Sequence, residues 1–254
     1  MCLILFAWQK HADYPLIAIA NRDEYYARPS RDAHWWDDAD TFAGRDLEAG
    51  GTWLGVNRRG QFAAVTNVRE PVGMQPGSRT RGDLTRNFLA GSDDAETYLQ
   101  KLAPCDQDYA GFNLLIGDSS GLWFYSNREQ KIHRIEAGVY GVSNGSFDEP
   151  WPKLESGREE LETMLNGAIE HHQLMGILTD HRIAEDHQLP STGVALDIER
   201  LLSSRFIRSK EYGTPACSVV TIDRTQRVEF SEQNYTDADH RGALRHETFE
   251  LTGG

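Results

Sequence analysis

The chain opens with the run Cys2-Leu3-Ile4-Leu5-Phe6-Ala7-Trp8, directly behind the initiator Met1. An apolar run of this length, bounded by a polar cluster, predicts a short buried strand. Removal of Met1 places a thiol and a free α-amine on one residue. That amine, whose ordinary pKa is about 7.7 to 8.0, accepts the thiol proton near neutral pH while the sulfur attacks a carbonyl. Position alone favours a buried structural cysteine, because free cysteine is among the most buried residue types.

Composition limits the classes of partner. The chain has 39 acidic and 26 basic residues and a net charge of -13, which disfavours nucleic acid and anionic membranes as partners. Its three cysteines, at positions 2, 105 and 217, form no C-x-x-C pair and are odd in number. They indicate a reducing compartment rather than a disulfide framework or a structural zinc site. The opening run is far shorter than the roughly 20 residues of a membrane helix. We expect a cytoplasmic protein with no stable membrane insertion, no metal and no other cofactor; the oligomeric state stays open.

Runs of strands alternate with runs of helices along the sequence. Strands are predicted at 3–8, 16–20, 52–57, 61–66, 112–116, 122–126, 132–135, 139–143, 216–222, 227–230 and 246–251. Helices are predicted at 82–89, 93–102, from 152 onward, at 168–178 and at 197–206. This order favours an α+β fold in which helices cover antiparallel sheets. No repeat or linker marks a boundary, so residues 1–254 are expected to form a single domain.

Chemically active side chains lie at the ends of predicted strands, or just after them, in four places. These are Cys2, the string Asn21-Arg22-Asp23-Glu24, Asn67 and Asn144. Each has an ordinary structural explanation, since charged loop residues are mostly exposed and asparagine is a common turn residue. Together they supply what amide hydrolysis through a terminal thiol requires. An acid orients the amine, a cation depresses the thiol pKa or holds a substrate anion, and neutral donors bind the oxyanion.

The same segments carry a resemblance to a known family. Asn21-Arg22-Asp23-Glu24, the glycine-containing stretch 43–57 and Tyr212-Gly213-Thr214 resemble the NRDE family, also called Transport and Golgi organisation protein 2-like, across nearly the whole chain. That family is distantly similar to the cholylglycine hydrolases and penicillin V acylases. The resemblance implies an α+β, four-layer αββα sandwich of the N-terminal nucleophile hydrolase type.

The resemblance also implies roles for individual residues. Cys2 matches the nucleophile, and Arg22 and Asp23 match an active-site arginine and aspartate, although the two are adjacent here and separated in the relatives. Asn67 matches the oxyanion-hole asparagine, and Asn144 matches a second active-site asparagine.

A further arginine of the relatives corresponds to the segment 204–208, where Arg208 is the first candidate and Arg205 the second. Trp53 and Trp35, with the neighbouring Trp36, are candidates to line a substrate pocket. Paired aromatic residues are also common in cores, and that alternative stays open.

The expected activity is hydrolysis of a linear amide or N-acyl small molecule through an acyl-thioester intermediate. The alternative is a haem or lipid binding and trafficking protein that uses the same pocket for an amphipathic ligand, with Cys2 or a histidine as a possible haem ligand. A metal site at His181, Glu185, Asp186 and His187, or at the pair His171-His172, matches no strong motif. For residues 181–187 a solvated helix-to-loop segment is the favoured interpretation, and the His171-His172 pair is a weaker metal candidate still.

Overall fold

The computed structural model describes residues 2–70 and 77–252, and within these ranges the chain forms thirteen strands and five α-helices. The strands are β1 (Cys2–Trp8), β2 (Leu16–Tyr25), β3 (Ser30–Trp35), β4 (Phe42–Asp46), β5 (Leu54–Val56), β6 (Phe62–Asn67), β7 (Phe112–Asp118), β8 (Gly121–Ser126), β9 (Lys131–Arg134), β10 (Gly138–Val142), β11 (Tyr212–Ile222), β12 (Arg227–Tyr235) and β13 (Arg241–Glu250). The helices are α1 (Gly82–Ala90), α2 (Ala95–Leu102), α3 (Pro152–Met164), α4 (His171–Leu178) and α5 (Leu196–Leu202). Met1, whose removal the hydrolase mechanism requires, lies outside the described residues.

Two antiparallel sheets pack face to face. Among the described residues the first sheet has the order β10-β1-β2-β11-β12-β13 and the second the order β3-β4-β5-β6-β7-β8-β9. Residues such as Phe6, Phe62 and Phe124 fill the core between the sheets. Helices α3 and α4 cover the outer face of the first sheet, and α1 and α2 cover that of the second. The α+β fold with four αββα layers is therefore confirmed.

The opening strand has a covered surface on each side. Ile4 and Phe6 point into the core between the sheets, whereas Leu3 and Leu5 pack under the helices. A strand that is buried on both faces has apolar residues at every position, which explains the continuous apolar sequence of β1. Because side chains alternate along a strand, Cys2 shares the inner face with Ile4 and lies at one end of the layer between the sheets.

The segment between residues 21 and 57 differs most from the sequence-based prediction. β2 continues to Tyr25, so Arg22 and Asp23 lie inside a strand and are buried rather than in a solvated turn. β3 and β4 were not predicted, because β3 is an edge strand with polar residues and an irregular register that hides its alternation. Helix α5 ends at Leu202, short of the predicted residue 206.

Within residues 2–70 and 77–252, no helix is long and apolar enough to cross a membrane.

Candidate active site

A cavity of about 140 Å³ opens at the end of the sandwich where β1 begins. Its lining consists of Cys2, Arg22, Asp23, Glu24, Arg28, Asp46, Ala49, Thr52, Trp53, Val65, Asn67, Thr80, Arg81 and Gly82. Most of these side chains are polar or charged. The fold thus brings five of the sequence-predicted site residues to one place.

Cys2 is partly exposed to this cavity and is held by its neighbours on both sides. It pairs with Arg22 on β2, and the Ser143 hydroxyl donates a hydrogen bond to its carbonyl oxygen at 3.2 Å. Desolvation and the charge of the Asp23 carboxylate raise the pKa of the Cys2 thiol, while the Asp23 backbone amide and the Arg22 guanidinium oppose that rise. A thiol that stays protonated in the resting state needs a nearby base to attack a carbonyl.

Arg22 is a buried cation at the cavity wall. Its guanidinium lies 4.6 Å from the centre of the Trp53 ring, a cation–π distance, and its Nη2 lies 3.6 Å from Asp46 Oδ2. Nη1 makes a long contact of 3.4 Å with the Ser30 hydroxyl. Within the described part of the chain Nη2 has no hydrogen-bond partner. Arg22 therefore retains donor capacity for an anion or a carbonyl oxygen in the cavity.

Asp23 follows on β2, and its carboxylate is buried next to a bulge in β11. The register of β11 against β2 shifts between Gly213 and Ala216, and in this stretch the Thr214 hydroxyl donates to Asp23 Oδ1 at 2.7 Å. The Tyr212 hydroxyl donates to the Asp23 carbonyl oxygen at 3.1 Å. Burial raises the pKa of Asp23 to about 6. The carboxylate is fixed in orientation and titrates close to neutral pH.

The two predicted asparagines occupy different layers. Asn67 is the last residue of β6 and lines the cavity. Its side-chain amide makes no hydrogen bond to any of the described residues. Asn144 is buried behind it and donates from Nδ2 to the Asn67 carbonyl oxygen at 2.8 Å. The Asn144 side chain thus fixes the Asn67 backbone and does not line the cavity.

Trp53 forms the cavity wall because the neighbouring backbone leaves room for it. A Cβ atom at Gly44 would lie 2.4 Å from the Trp53 ring, so only glycine fits at that position. Gly51 meets Gly82 in the same way, since a Cβ at Gly51 would lie 2.3 Å from the Gly82 carbonyl carbon. The glycines of the segment 43–57 allow close packing beside the cavity.

Sequence reasoning missed several lining residues, of which Arg81 is the most informative. It precedes α1, and its Nη1 donates to the Gly111 carbonyl oxygen at 3.2 Å. Burial lowers the pKa of Arg81, against an attraction from Cys2 and nearby carboxylates. Arg28 is a second missed cation, paired with Asp46 at 2.7 Å. Neither arginine belongs to a motif that the sequence analysis recognised. An arginine in a loop or before a helix is ordinarily a surface residue, so the sequence offers no reason to place either one at the cavity.

The two candidate arginines of the segment 204–208 lie elsewhere. Arg208 is exposed, pairs with Asp239 and borders a different cavity. Arg205 is buried under the helices and donates to Asp180 at 2.6 Å and to Glu160 at 2.7 Å. Because α5 ends at Leu202, neither side chain is carried towards Cys2 on a helix.

Trp35 is half-buried at the far edge of the second sheet and lines no part of the cavity with Cys2. Its ring packs on Phe42 and Phe249, with centroid distances of 5.4 and 4.9 Å, and lies under the Arg58 guanidinium. The neighbouring Trp36 donates from its indole nitrogen to the Ala43 carbonyl oxygen. The rings of Trp35 and Trp36 therefore contact other residues of the protein and do not line the cavity.

Similarity to known proteins identifies the family. The profile of the Transport and Golgi organisation 2 family matches residues 1–237. The Transport and Golgi organization 2 homolog of Mus musculus is 33% identical over 267 residues, which cover 94% of this chain and 95% of that protein. The chain belongs to the Transport and Golgi organisation 2 family.

Solved structures share the fold of this Transport and Golgi organisation 2 family member. It superimposes on a C2A mutant of the conjugated bile acid hydrolase from Clostridium perfringens with a TM-score of 0.52 and 10% identity, covering 100% of this chain and 98% of that one. It also superimposes on the Caenorhabditis elegans ortholog of an N-acylethanolamine-hydrolyzing acid amidase, with a TM-score of 0.51 and 9% identity over 86% of this chain and 92% of that one. The resemblance stated from the sequence is confirmed at the level of family and fold.

Proposed function

We propose that the protein is an N-terminal cysteine amidohydrolase that cleaves a linear amide or N-acyl small molecule through an acyl-thioester. One observation carries the proposal: Cys2, Arg22, Asp23 and Asn67 line a single cavity. These residues come from β1, β2 and β6, so both sheets contribute. A second, independent support is the fold, which is shared with a conjugated bile acid hydrolase and with an ortholog of an N-acylethanolamine-hydrolyzing acid amidase.

The proposed reaction starts after Met1 has been removed. The α-amine of Cys2 takes the thiol proton, and the sulfur forms a bond to the carbonyl carbon of the amide. The carbonyl oxygen becomes an oxyanion, to which the Asn67 side-chain amide donates. Asp23 orients the amine, which passes the proton to the leaving nitrogen as the C–N bond breaks. Water then adds to the thioester, and the carboxylic acid leaves while the proton returns to the sulfur.

The dimensions of the cavity restrict what enters it. About 140 Å³ is smaller than the roughly 300–1,000 Å³ of pockets that enclose a drug-sized ligand. The reacting amide and a few neighbouring atoms fit inside, and the remainder of a larger substrate extends past the mouth. The polar lining and small volume fit a linear amide better than the haem or lipid ligand of the alternative function.

The decisive experiment measures amide cleavage by processed protein. Intact mass establishes whether Met1 has been removed, and a panel of N-acyl amines and N-acyl amino acids is then followed by mass spectrometry for release of the amine. We expect turnover, an acyl adduct that maps to Cys2, and loss of both in Cys2→Ala. Cys105→Ala is the matched control, since Cys105 is also a partly exposed free thiol.

Turnover that persists in Cys2→Ala would refute the mechanism. Retention of Met1 throughout the purified population would also refute it, because no free amine would then be available on Cys2.

A further inference from the structure

Two histidines and a glutamate from distant parts of the chain meet on the helix-covered face of the first sheet. His171 is the first residue of α4, Glu229 lies on β12 and His246 lies on β13. Since Val228 and Phe230 point into the core between the sheets, Glu229 faces the helices. One possible ligand atom from each of the three residues lies within 4.8 Å of the other two.

The separations are close to those of a metal site. Glu229 Oε1 lies 3.9 Å from His171 Nδ1 and 3.9 Å from His246 Nε2. In a tetrahedral zinc site with ligands at about 2.0–2.1 Å, neighbouring ligand atoms are about 3.3 Å apart. These two separations must therefore shorten by about half an ångström, and the ligand nitrogens of His171 and His246, which lie within 4.8 Å of each other, must also approach. The side chains of His246 and Glu229 are 53% and 34% exposed, so small rotations bring them closer.

His171 is already fixed in the orientation that a ligand needs. Its side chain is 9% exposed, and its Nε2 lies 3.0 Å from the Thr221 hydroxyl, which leaves Nδ1 on the side of Glu229. Histidines that bind metals usually bond their second ring nitrogen to such a partner, which fixes the ring. Thr221 is directly paired with Glu229 across β11 and β12, so one ladder positions both the ring and the carboxylate.

A serine hydroxyl holds the cluster together without an ion. Ser231 Oγ lies 2.8 Å from His171 Nδ1 and 3.0 Å from His246 Nδ1. A hydroxyl has one proton, so it donates to one ring and accepts from the other. A bound ion would replace the contact between Ser231 and His171 Nδ1. His246 would keep its contact with Ser231 and would coordinate through Nε2, which now lies 3.5 Å from the Thr248 hydroxyl.

We propose that His171, Glu229 and His246 form a binding site for one divalent transition-metal ion, with zinc as the best match. Two imidazoles and a carboxylate are zinc ligands, and the fourth position is left to water. The ion links α4 to the hairpin of β12 and β13. None of these three residues lines the cavity with Cys2, so this inference does not depend on the proposed hydrolase activity.

The test is a zinc titration of the full chain after treatment with a chelator, followed by calorimetry. All variants are made in a Cys2→Ala background, because a thiolate also binds zinc. We expect one ion per chain and a more than tenfold loss of affinity in both His246→Ala and Glu229→Gln. Thr221→Val should weaken binding by about 10-fold or more, the usual effect of removing an outer-shell partner. His172→Ala is the matched control, since His172 is the exposed next residue of α4 and should leave affinity unchanged.

Cobalt substitution identifies the ligands by a second readout. The bound cobalt should show absorption bands of a nitrogen and oxygen site and no thiolate-to-metal charge transfer. Unchanged affinity in both His246→Ala and Glu229→Gln, an equal loss in His172→Ala, or no stoichiometric binding by the parent chain would each overturn the proposal. His246 and Glu229 are chosen because the first is exposed and the second half-buried, so both can be replaced without disturbing the core.

Discussion

Cys2 and Arg22 lie directly opposite each other on β1 and β2, and their side chains leave the first sheet on the same face. The pairing places a guanidinium beside the thiol and fixes it there through Trp53. A cation close to a thiol favours the thiolate form. Arg22→Gln should therefore raise the pKa of the Cys2 thiol.

The measurement is the pH dependence of Cys2 alkylation in the native, processed protein, read by peptide mapping. The midpoint should move to higher pH in Arg22→Gln and stay in place in Arg45→Gln, whose arginine pairs with Asp38 at the surface. Cys217 is fully buried and should remain unmodified until the protein unfolds. A midpoint that does not move in Arg22→Gln would show that this guanidinium has no electrostatic effect on the thiol.

Replacing the two asparagines should have different kinetic consequences. In the proposed reaction Asn67 donates to the oxyanion, so Asn67→Ala should lower kcat by about 10²–10³ with little change in KM. Asn144 acts on Asn67 through its backbone carbonyl. Asn144→Ala should therefore lower kcat less and also lower the melting temperature, because it leaves a buried carbonyl without its donor. A larger kcat loss in Asn144→Ala than in Asn67→Ala would reverse the assignment.

Asp23 should contribute to the fall of activity at acidic pH, in addition to protonation of the α-amine that accepts the thiol proton. The pKa of Asp23 is about 6, and in the proposed reaction the ionised carboxylate orients the amine, so kcat/KM should fall as pH drops below that value. The Thr214 hydroxyl donates to the charged form, and its removal in Thr214→Val should raise the pKa of Asp23 and move the limit to higher pH. The pH profiles of kcat/KM for the parent, Thr214→Val and Asp23→Asn measure this shift. An acidic limit that is the same in Asp23→Asn would assign the titration to another group.

Part of this site was accessible from the sequence and part was not. The apolar opening run and the polar clusters at residues 21–24 and 67 marked Cys2, Arg22, Asp23 and Asn67 as candidates, because such runs and clusters are local patterns, and the family resemblance supplied a role for each. The segment 204–208 gave no such guide. The positions of Arg205 and Arg208 depend on where α5 ends and on ion pairs with Asp180 and Asp239, which are distant in sequence. Arg81 was missed for the same reason, since only the fold brings it next to Cys2.

A buried glutamate should make stability depend on pH. Glu232 is fully buried between the sheets and accepts hydrogen bonds from the backbone of Ala33 and the side chains of Ser218 and Asn234. Burial raises its pKa from 4.5 to about 7. The folded state therefore holds this proton more tightly than the unfolded state. The resulting stabilisation is complete below pH 4.5 and is lost as pH rises through about 7.

Glu232→Gln removes this titration. The parent should lose ~3 kcal/mol of its free energy of unfolding between pH 4 and pH 8 that the variant does not lose. Relative to the parent, the variant is therefore more stable at pH 8 than at pH 4. Urea unfolding at both pH values measures it. A difference that does not vary with pH would show that Glu232 does not titrate in this range.

Two glycine substitutions should have opposite effects on stability. In Gly44→Ala the new methyl group meets the Trp53 ring at 2.4 Å, in a position where the ring also packs on Arg22. Overpacking of this kind typically costs about 1–3 kcal/mol. Gly176 lies inside α4 with nothing within 4 Å of an added Cβ. Gly176→Ala should therefore stabilise the protein by about 0.4–1 kcal/mol, because alanine restricts the unfolded chain and favours the helix.

Urea unfolding of both variants, with tryptophan fluorescence as the signal, separates the two effects. Gly44→Ala should change the native emission spectrum, since the displaced indole is Trp53, and it should lower turnover because Trp53 holds Arg22 at the cavity wall. Gly176→Ala should leave both spectrum and turnover unchanged. If Gly44→Ala were as stable as the parent with an unaltered spectrum, the close packing of Trp53 against this backbone would be refuted, and with it the reason that glycine is required beside the cavity.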